Sequence, residues 1–230
     1  MNRKLLKTAF LATLPVMAGY LVLGIGFGMI LKSNGFGFGW ALAMSGLIYA
    51  GSMQFVLIDL ICGGAGLLTA AITTLLVNAR HLFYSISMVE KYKGAGARKP
   101  YMIFALTDET YSLVCGDAPA GVKRHAYYFA VSLINQIWWV SGSVLGTVLG
   151  AALHINTEGI DFALTALFLT VFVEQWLTTK NHLPAIIGVA ASVVALLIFG
   201  PDSFLIPAMV AILVLLSCSG KGRREGGAHE

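Results

Sequence analysis

Apolar residues in this chain run in long blocks separated by charge or by clusters of Gly, Pro and Asn, with no two-residue alternation of the kind that marks half-buried strands. Eight blocks can be marked: Thr8–Leu31, Gly39–Cys62, Leu67–Val89, Tyr101–Gly116, His125–Leu153, Phe162–Thr178, Leu183–Phe199 and Ser203–Ser219. A bilayer crossing needs about 20 apolar residues, and several blocks approach that length. The pattern predicts an all-α, polytopic integral membrane helix bundle of about eight apolar segments. The fourth block is short and carries Thr107, Asp108, Glu109 and Thr110 in its middle. At least one segment is therefore expected to be broken or re-entrant, a geometry tolerated where protein or water covers the freed backbone.

Within the third block, Thr73 to Ser87 reads as one continuous helix, since it holds no Gly or Pro. At 100° per residue Thr74, Asn78, His81 and Ser85 share a stripe, Thr73, Arg80, Tyr84 and Ser87 lie beside it, and Leu75, Ala79, Leu82 and Ile86 take the opposite face. A polar arc in so apolar a chain is expected to face a cavity or packed protein. An arginine at that depth costs roughly 2.5–3.5 kcal/mol on insertion scales, so it needs a partner or a purpose.

Composition agrees with the membrane reading. Of 230 residues 57% are hydrophobic and 11% charged, with a mean hydropathy of +0.81, whereas an average soluble domain is about 25% charged. Residues 1–219 are expected to form a single transmembrane domain and 220–230 a polar cytoplasmic tail. The net charge of +4 comes from short basic clusters between apolar blocks, which mark cytoplasmic loops better than a nucleic-acid surface. Cys62, Cys115 and Cys218 are scattered and show no metal-ligand spacing. Neither a disulfide framework nor a metal is implied. The first apolar run continues to Leu31 with no clear cleavage site, so it is read as a retained span.

Positive charge orients the chain with one conflict. Arg3, Lys4 and Lys7 place the N-terminus in the cytoplasm, and Lys221, Arg223 and Arg224 place the C-terminus there. Eight crossings satisfy both and put Lys123, Arg124 and Lys180 inside and His154–Asp161 outside, but they also send Lys91, Lys93, Arg98 and Lys99 outside. If the second and fourth segments were re-entrant, six crossings would leave every basic cluster cytoplasmic. The reading taken here is eight segments with at least one discontinuous. Gly24 and Gly28, and Gly142, Gly146 and Gly150, form small-residue ridges for close helix packing, within the chain or between subunits. VLGIGFGMIL from Val22 faintly echoes VLGTVLGAAL from Val144.

Three polar groupings are candidates for chemistry. In YAGSMQF (Tyr49–Phe55), Gly51 and Ser52 can unwind a helix and Gln54 can present an amide, or Ser52 and Gln54 bond between helices. Arg80, with Asn78 and His81, can hold a carboxylate, and His81 can exchange a proton near neutral pH; alternatively Arg80 snorkels or pairs with an acid. Asp108 and Glu109 can partner an amino group or carry a coupled proton, or they neutralise Arg80, with Thr107 as the N-cap of a helix. In the second half Asn135, Gln136, Trp138 and Trp139 form the most polar intramembrane group, and Glu174 and Gln175 are read as interfacial. The chain has no GxSxG, HExxH or Walker motif. No enzyme activity and no cofactor are expected, and solute movement must draw on a gradient or another chain.

The order YAGSMQF, TTLLVNARHLFYS, a basic loop and KPYMIFALTDETYSL from Lys99 resembles the AzlC family, the large subunit of the branched-chain amino-acid exporters. The likeness is strongest from Ser45 to Leu113, where Gln54, Asn78, Arg80, His81, Thr107, Asp108 and Glu109 fall on the motif. The second half, with FALTALFLTVFVEQ from Phe162, fits more loosely. The resemblance implies a bacterial inner-membrane permease that exports leucine, isoleucine or valine, and in some members methionine, with a small hydrophobic AzlD-like partner. The family is often labelled ATP-driven, but proton-coupled secondary export fits this chain better, since it carries no nucleotide site. A homo-oligomer of the heterocomplex is also open. In this reading Ser52, Gln54, Asn78, Arg80 and Thr107 line the substrate site, Asp108 or Glu109 takes the amino group, and His81, Asp108 or Glu109 carries the proton. The alternative is a channel-forming or scaffolding subunit whose path is shared with a partner.

Overall fold

A computed structural model describes residues 3–152, with the side chains of Arg80 and Phe83 excepted, and beyond them residues 169, 172–173, 176–177, 179, 181–200, 204, 207–208, 210–212 and 214–216. The loop His154–Asp161, the residues Glu174, Gln175 and Lys180, Cys218 and the basic tail lie outside the described residues. Among those described, the only regular elements are helices. Two compact units are present: Met1–Gly66 with Val77–Leu164, and Leu67–Leu76 with Thr165–Glu230.

The first unit is built on α1 (Arg3–Ser33) and α8 (Arg124–Ala152), the two described helices long and apolar enough to cross a bilayer. Their small-residue ridges face each other. Gly142 lies against Tyr20 and Leu21, Gly146 against Ile25, and Gly150 against Met29 and Lys32, so positions climb together and the two helices run parallel. A methyl group on Gly28 would overlap the Ser143 carbonyl oxygen, and one on Gly146 the Ile25 carbonyl oxygen. Glycine is required here by close approach of two backbones. The ridges thus serve packing within the chain, and the faint sequence echo lies along this one seam.

Between α1 and α8 the chain makes two excursions that return to the end they left. The first is α2 (Phe38–Ala43), a π-helical turn (Met44–Ile48), a break at Tyr49 and Ala50, and α3 (Gly51–Cys62). The Cys62 thiol donates to Asn34 Oδ1 at 3.5 Å, so α3 ends beside the C-terminus of α1. Ser45 and Gln54 meet across the two arms at 3.2 Å. The second excursion is α6 (Lys99–Phe104), a break at Ala105–Thr107, and α7 (Asp108–Val114). Arg98 sits 5.8 Å over the Phe129 ring near the start of α8, and Lys91 Nζ donates to the carbonyls of Cys115 and Gly116 just past α7. His125 contacts the Lys91 carbonyl at 3.2 Å, and Lys4 lies against Gly121. Lys4, Lys91, Arg98 and Arg124 therefore gather at one end of the unit.

Within the first unit this arrangement resolves the conflict in charge at Lys91–Lys99. Straight passages through the second and fourth segments would carry Lys91–Lys99 to the end opposite Lys4; both segments are instead re-entrant, entering from opposite ends. The expectation that at least one segment is discontinuous holds twice.

The continuous helix expected over Thr73–Ser87 is also corrected. α4 (Leu67–Val77) stops, Asn78 and Ala79 form a turn, and α5 (Arg80–Met88) begins. The Asn78 carbonyl accepts from His81 N–H and the Ala79 carbonyl from Leu82 N–H, three-residue bonds that tighten the backbone out of the α-helical pattern. Helical periodicity runs through this turn undisturbed, which is why the sequence hides it. In the second unit α9 (Leu183–Phe199) starts with a proline in its first turn, ends at Gly200 (φ 74°) and buries Ala191 and Ala195. His182, just before α9, stacks on Trp176 at 4.2 Å.

Candidate functional site

The tips of the two hairpins meet at mid-depth. Tyr49, at the first tip, packs against Phe104 beside the second, with ring centroids 6.2 Å apart. Ala105 and Leu106 at the second tip divide two apolar clusters. One, nearer the basic end, holds Leu5, Met88, Met102, Val114 and Tyr128; the other holds Phe27, Leu31, Met44, Phe55 and Trp139. The polar residues lie between these clusters.

Thr107 starts α7 as an N-cap in extended backbone (φ −93°, ψ 174°), and its Oγ1 accepts from the Thr110 N–H at 3.2 Å. Asp108 and Glu109 fill the first turn, where negative charge meets the exposed N–H groups of a helix start. The expected cap is thus present. Tyr20, from the middle of α1, brings its hydroxyl to 2.7 Å from Thr107 Oγ1 and 2.8 Å from Glu109 Oε2. The Thr107 and Thr110 hydroxyls are 3.1 Å apart, and Asn135 Nδ2 donates to Thr110 Oγ1 at 3.0 Å. Three elements, α1, α7 and α8, converge on this cluster. Tyr49 adds a fourth: its hydroxyl lies close to Tyr20 and Thr110 but is buried with no formed hydrogen bond, as is Asn135 Oδ1.

A second polar group locks the first hairpin. Gln54 donates to Ser45 and accepts from Trp139 Nε1 at 2.9 Å, while Gln136 donates to the Gly46 carbonyl at 2.9 Å and accepts from Tyr101 at 2.6 Å. Gly51 faces the Trp139 ring, 3.3 Å from where a methyl group would sit. By sequence the helix can unwind at Gly51 and Ser52, or Ser52 and Gln54 bond between helices. It unwinds one step earlier, at Tyr49 and Ala50, and Gly51 and Ser52 form the first turn of α3. Glycine at 51 serves close approach to Trp139. The Trp139 ring joins this lock to the cluster, packing edge-on against Tyr20 at 5.4 Å.

The remaining candidates lie around the start of α5 and in the first turns of α3 and α7. Asn78 lies in the turn before α5, Arg80 is the first residue of α5, and half-buried His81 contacts the Asn78 carbonyl through Nδ1 at 3.1 Å. α5 packs on α7 through Tyr84 stacked on Tyr111 at 5.0 Å. Asp108 and Ser52 are half-buried. Thr107 and Glu109 are therefore brought together with Tyr20, Tyr49, Thr110 and Asn135, while Gln54 is engaged in the adjoining lock. Tyr20 and Tyr49 were missed as site residues. The available signal was a single phenol amid the apolar length of α1, which composition alone does not distinguish from packing. At the basic end, burial pushes the Tyr92 phenol well above its ordinary range, and it stays neutral there.

Comparison with known proteins adds the family. The model described as AzlC protein matches residues 15–153, a span that contains both hairpins, all of α8 and α1 from Pro15 onward. Over 212 residues the chain is 44% identical to the branched-chain amino acid transport protein AzlC of Bacillus subtilis, covering 92% of this chain and 84% of that one. It is 41% identical over 214 residues to an uncharacterized membrane protein of Helicobacter pylori, covering 93% and 94%. To the inner membrane protein YgaZ of Escherichia coli it is 27% identical over 210 residues, covering 90% and 84%. No solved structure matches. With the family match spanning well over half the chain and the Bacillus relative aligned along nearly all of it, this membrane protein belongs to the AzlC family.

Proposed function

We propose that the protein exports branched-chain amino acids, leucine, isoleucine or valine, across the bacterial inner membrane by proton-coupled secondary transport. The observation that carries this reading is the meeting of two re-entrant tips from opposite ends around Tyr20, Thr107 and Glu109, with two buried polar atoms still unpartnered. Broken helices at mid-depth offer backbone and side-chain groups to a zwitterion within an apolar surround that suits an aliphatic tail. Glu109, with Asp108 beside it, receives the amino group or the coupled proton. Ser52, Gln54, Asn78, Arg80 and Thr107 remain the proposed substrate-lining residues, with Arg80 for the carboxylate, and His81 is a second proposed proton carrier. The basic end is cytoplasmic by the positive-inside rule, which places the N-terminus inside. A small hydrophobic AzlD-like subunit is the proposed partner.

The test is efflux of radiolabelled leucine, valine and methionine from preloaded cells expressing the chain alone or with an AzlD-like partner, with and without a protonophore. Partner-dependent efflux that the protonophore abolishes is expected, and Arg80→Ala should insert normally but not export. Failure to export any of the three substrates with both chains in the membrane would overturn the reading.

A further inference from the structure

Counting protons in the buried hydroxyl chain goes further than the distances do. Three contacts link Thr110 to Thr107, Thr107 to Tyr20, and Tyr20 to the Glu109 carboxylate, at 3.1, 2.7 and 2.8 Å. Each contact needs one proton between its oxygens, and each hydroxyl owns one. If Tyr20 donates to Glu109 while Thr107 donates to Thr110, the 2.7 Å contact between Tyr20 and Thr107 has no proton at all. Two complete orders remain. With Glu109 ionised the carboxylate only accepts, so Tyr20 donates to it, Thr107 to Tyr20 and Thr110 to Thr107. With a proton on Glu109 Oε2 the order can reverse, running from Glu109 through Tyr20 and Thr107 to Thr110.

The two orders differ at the far end of the chain. Thr110 Oγ1 accepts from Asn135 Nδ2 in both. In the reversed order the Thr110 proton is freed from Thr107 and turned toward Tyr49; in the forward order it is withdrawn, and the Tyr49 hydroxyl and Asn135 Oδ1 stand as open acceptors. Asn135 is fully buried and Tyr49 is 3% exposed, so an unfilled acceptor there is costly. An amide oxygen and a phenol oxygen, tied to an ionised carboxylate through aligned hydroxyls, suit a donor that carries positive charge.

We propose that Asn135 and Tyr49 form a subsite for a primary ammonium group, linked by Thr110, Thr107 and Tyr20 to Glu109, so that ammonium at one end and a proton at the other exclude each other. The identity of the ammonium as a substrate's α-amino group rests on the exporter reading above. By linkage the exclusion is reciprocal, so protons entering one way drive amines out the other. The titratable groups on the elements that form the chain are Asp108 and Tyr111 on α7, Tyr101 on α6, Tyr20 on α1 and Tyr49 at the first tip, and α5 packs on α7 through Tyr84. Beyond His125, α8 contributes no charged side chain.

The experiment uses the full chain in lipid nanodiscs and measures binding from about pH 4, the ordinary carboxyl range, to about pH 8. The probes are leucine, isoamylamine, which keeps leucine's tail and amine without the carboxylate, and 4-methyl-2-oxopentanoate, which lacks the amine. Leucine and isoamylamine should bind more tightly as pH rises, and the oxoacid should not. Asn135→Leu should weaken both amines roughly tenfold or more, since a charge-assisted bond is lost, and Asn135→Asp should restore them. Tyr49→Phe, which removes one oxygen, carries the same test if Asn135→Leu fails to fold. Thr110→Val and Tyr20→Phe, whatever their affinity for amine, should lose the pH dependence. Amine affinity unchanged in Asn135→Leu and Tyr49→Phe, wild-type pH dependence in both chain variants, or no amine binding by the wild type would each overturn the proposal. If isoamylamine binds with the stated pH dependence while leucine is neither bound nor exported, the exporter reading alone falls.

Discussion

The hairpin that enters beside the C-terminus of α1 turns on Tyr49, a tyrosine in left-handed backbone conformation (φ 46°, ψ 46°), whereas the hairpin from the basic end turns on Thr107 in ordinary extended backbone. Left-handed backbone at a bulky residue costs of order 1–3 kcal/mol and persists only where its surroundings enforce it. Here Gly51 lets the Trp139 ring come close, and the Gln54 amide bridges Ser45 and Trp139 across the turn. The second turn needs no such enforcement: a threonine cap and two acidic residues in the first turn of α7 favour the break locally. One tip is shaped by packing around it and the other by its own sequence. The locally encoded tip is also the one that holds the acidic residues and the hydroxyls able to reorient.

The sharpest way to break this comparison is to ask whether the first hairpin returns to its own side at all. Cys62 and Cys115 are exposed free thiols at opposite ends of the first unit, the first beside Asn34 and the second beside Lys91. In a Cys218→Ser background, a membrane-impermeant maleimide should label Cys62 in right-side-out vesicles and reach Cys115 only after permeabilisation. Straight crossings would put both thiols inside. Cys62 labelled only after permeabilisation would remove the re-entrant pair and the meeting of tips with it.

The sequence makes the second hairpin readable and obscures the first. Thr107, Asp108 and Glu109 interrupt a short apolar block with residues that each favour a helix start, so break, cap and site residues emerge together. At the first hairpin the visible signal is Gly51 and Ser52, the residues with greatest backbone freedom, yet the break falls on Tyr49, whose conformation depends on Trp139, 90 positions along the chain. Asn78 and Ala79 end a helix without disturbing its polar stripe, so periodicity could not find the turn. The basic loop at Lys91–Lys99 carries the opposite lesson. Its conflict with a straight-crossing topology is visible in charge alone, and contacts from Lys91 and Arg98 resolve it. Asn135 is visible as a polar residue inside a span, but its relation to Thr110 and Tyr49 depends on which helices converge.

A smaller effect separates the chemistry of the two tips. Gln54→Leu removes the bridge in the first hairpin and leaves the Trp139 N–H buried without an acceptor, at a cost of about 2 kcal/mol. The melting temperature of the purified protein should fall accordingly. Adding Trp139→Phe removes the orphaned donor, so the double variant should be more stable than Gln54→Leu alone. If the two losses simply add, the bridge is not what holds the Tyr49 turn.

At the second tip the smallest change is the most informative, because Thr107 does two things at once. Its Oγ1 caps α7 by accepting from Thr110 N–H, and the same hydroxyl is the middle link between Tyr20 and Thr110. Thr107→Ala removes both and should cost about 1 kcal/mol in stability, whereas Thr107→Ser keeps both and should stay within about 0.5 kcal/mol of the parent. Thr107→Asn divides them, since asparagine caps a helix at least as well as threonine but has no hydroxyl proton to reverse. That variant should melt near the parent while leucine efflux loses its dependence on pH. A melting temperature as low as that of Thr107→Ala would mean that the tip depends on the hydroxyl for more than capping. Parental stability with a parental pH profile would show that the hydroxyl order at this tip carries no information about Glu109.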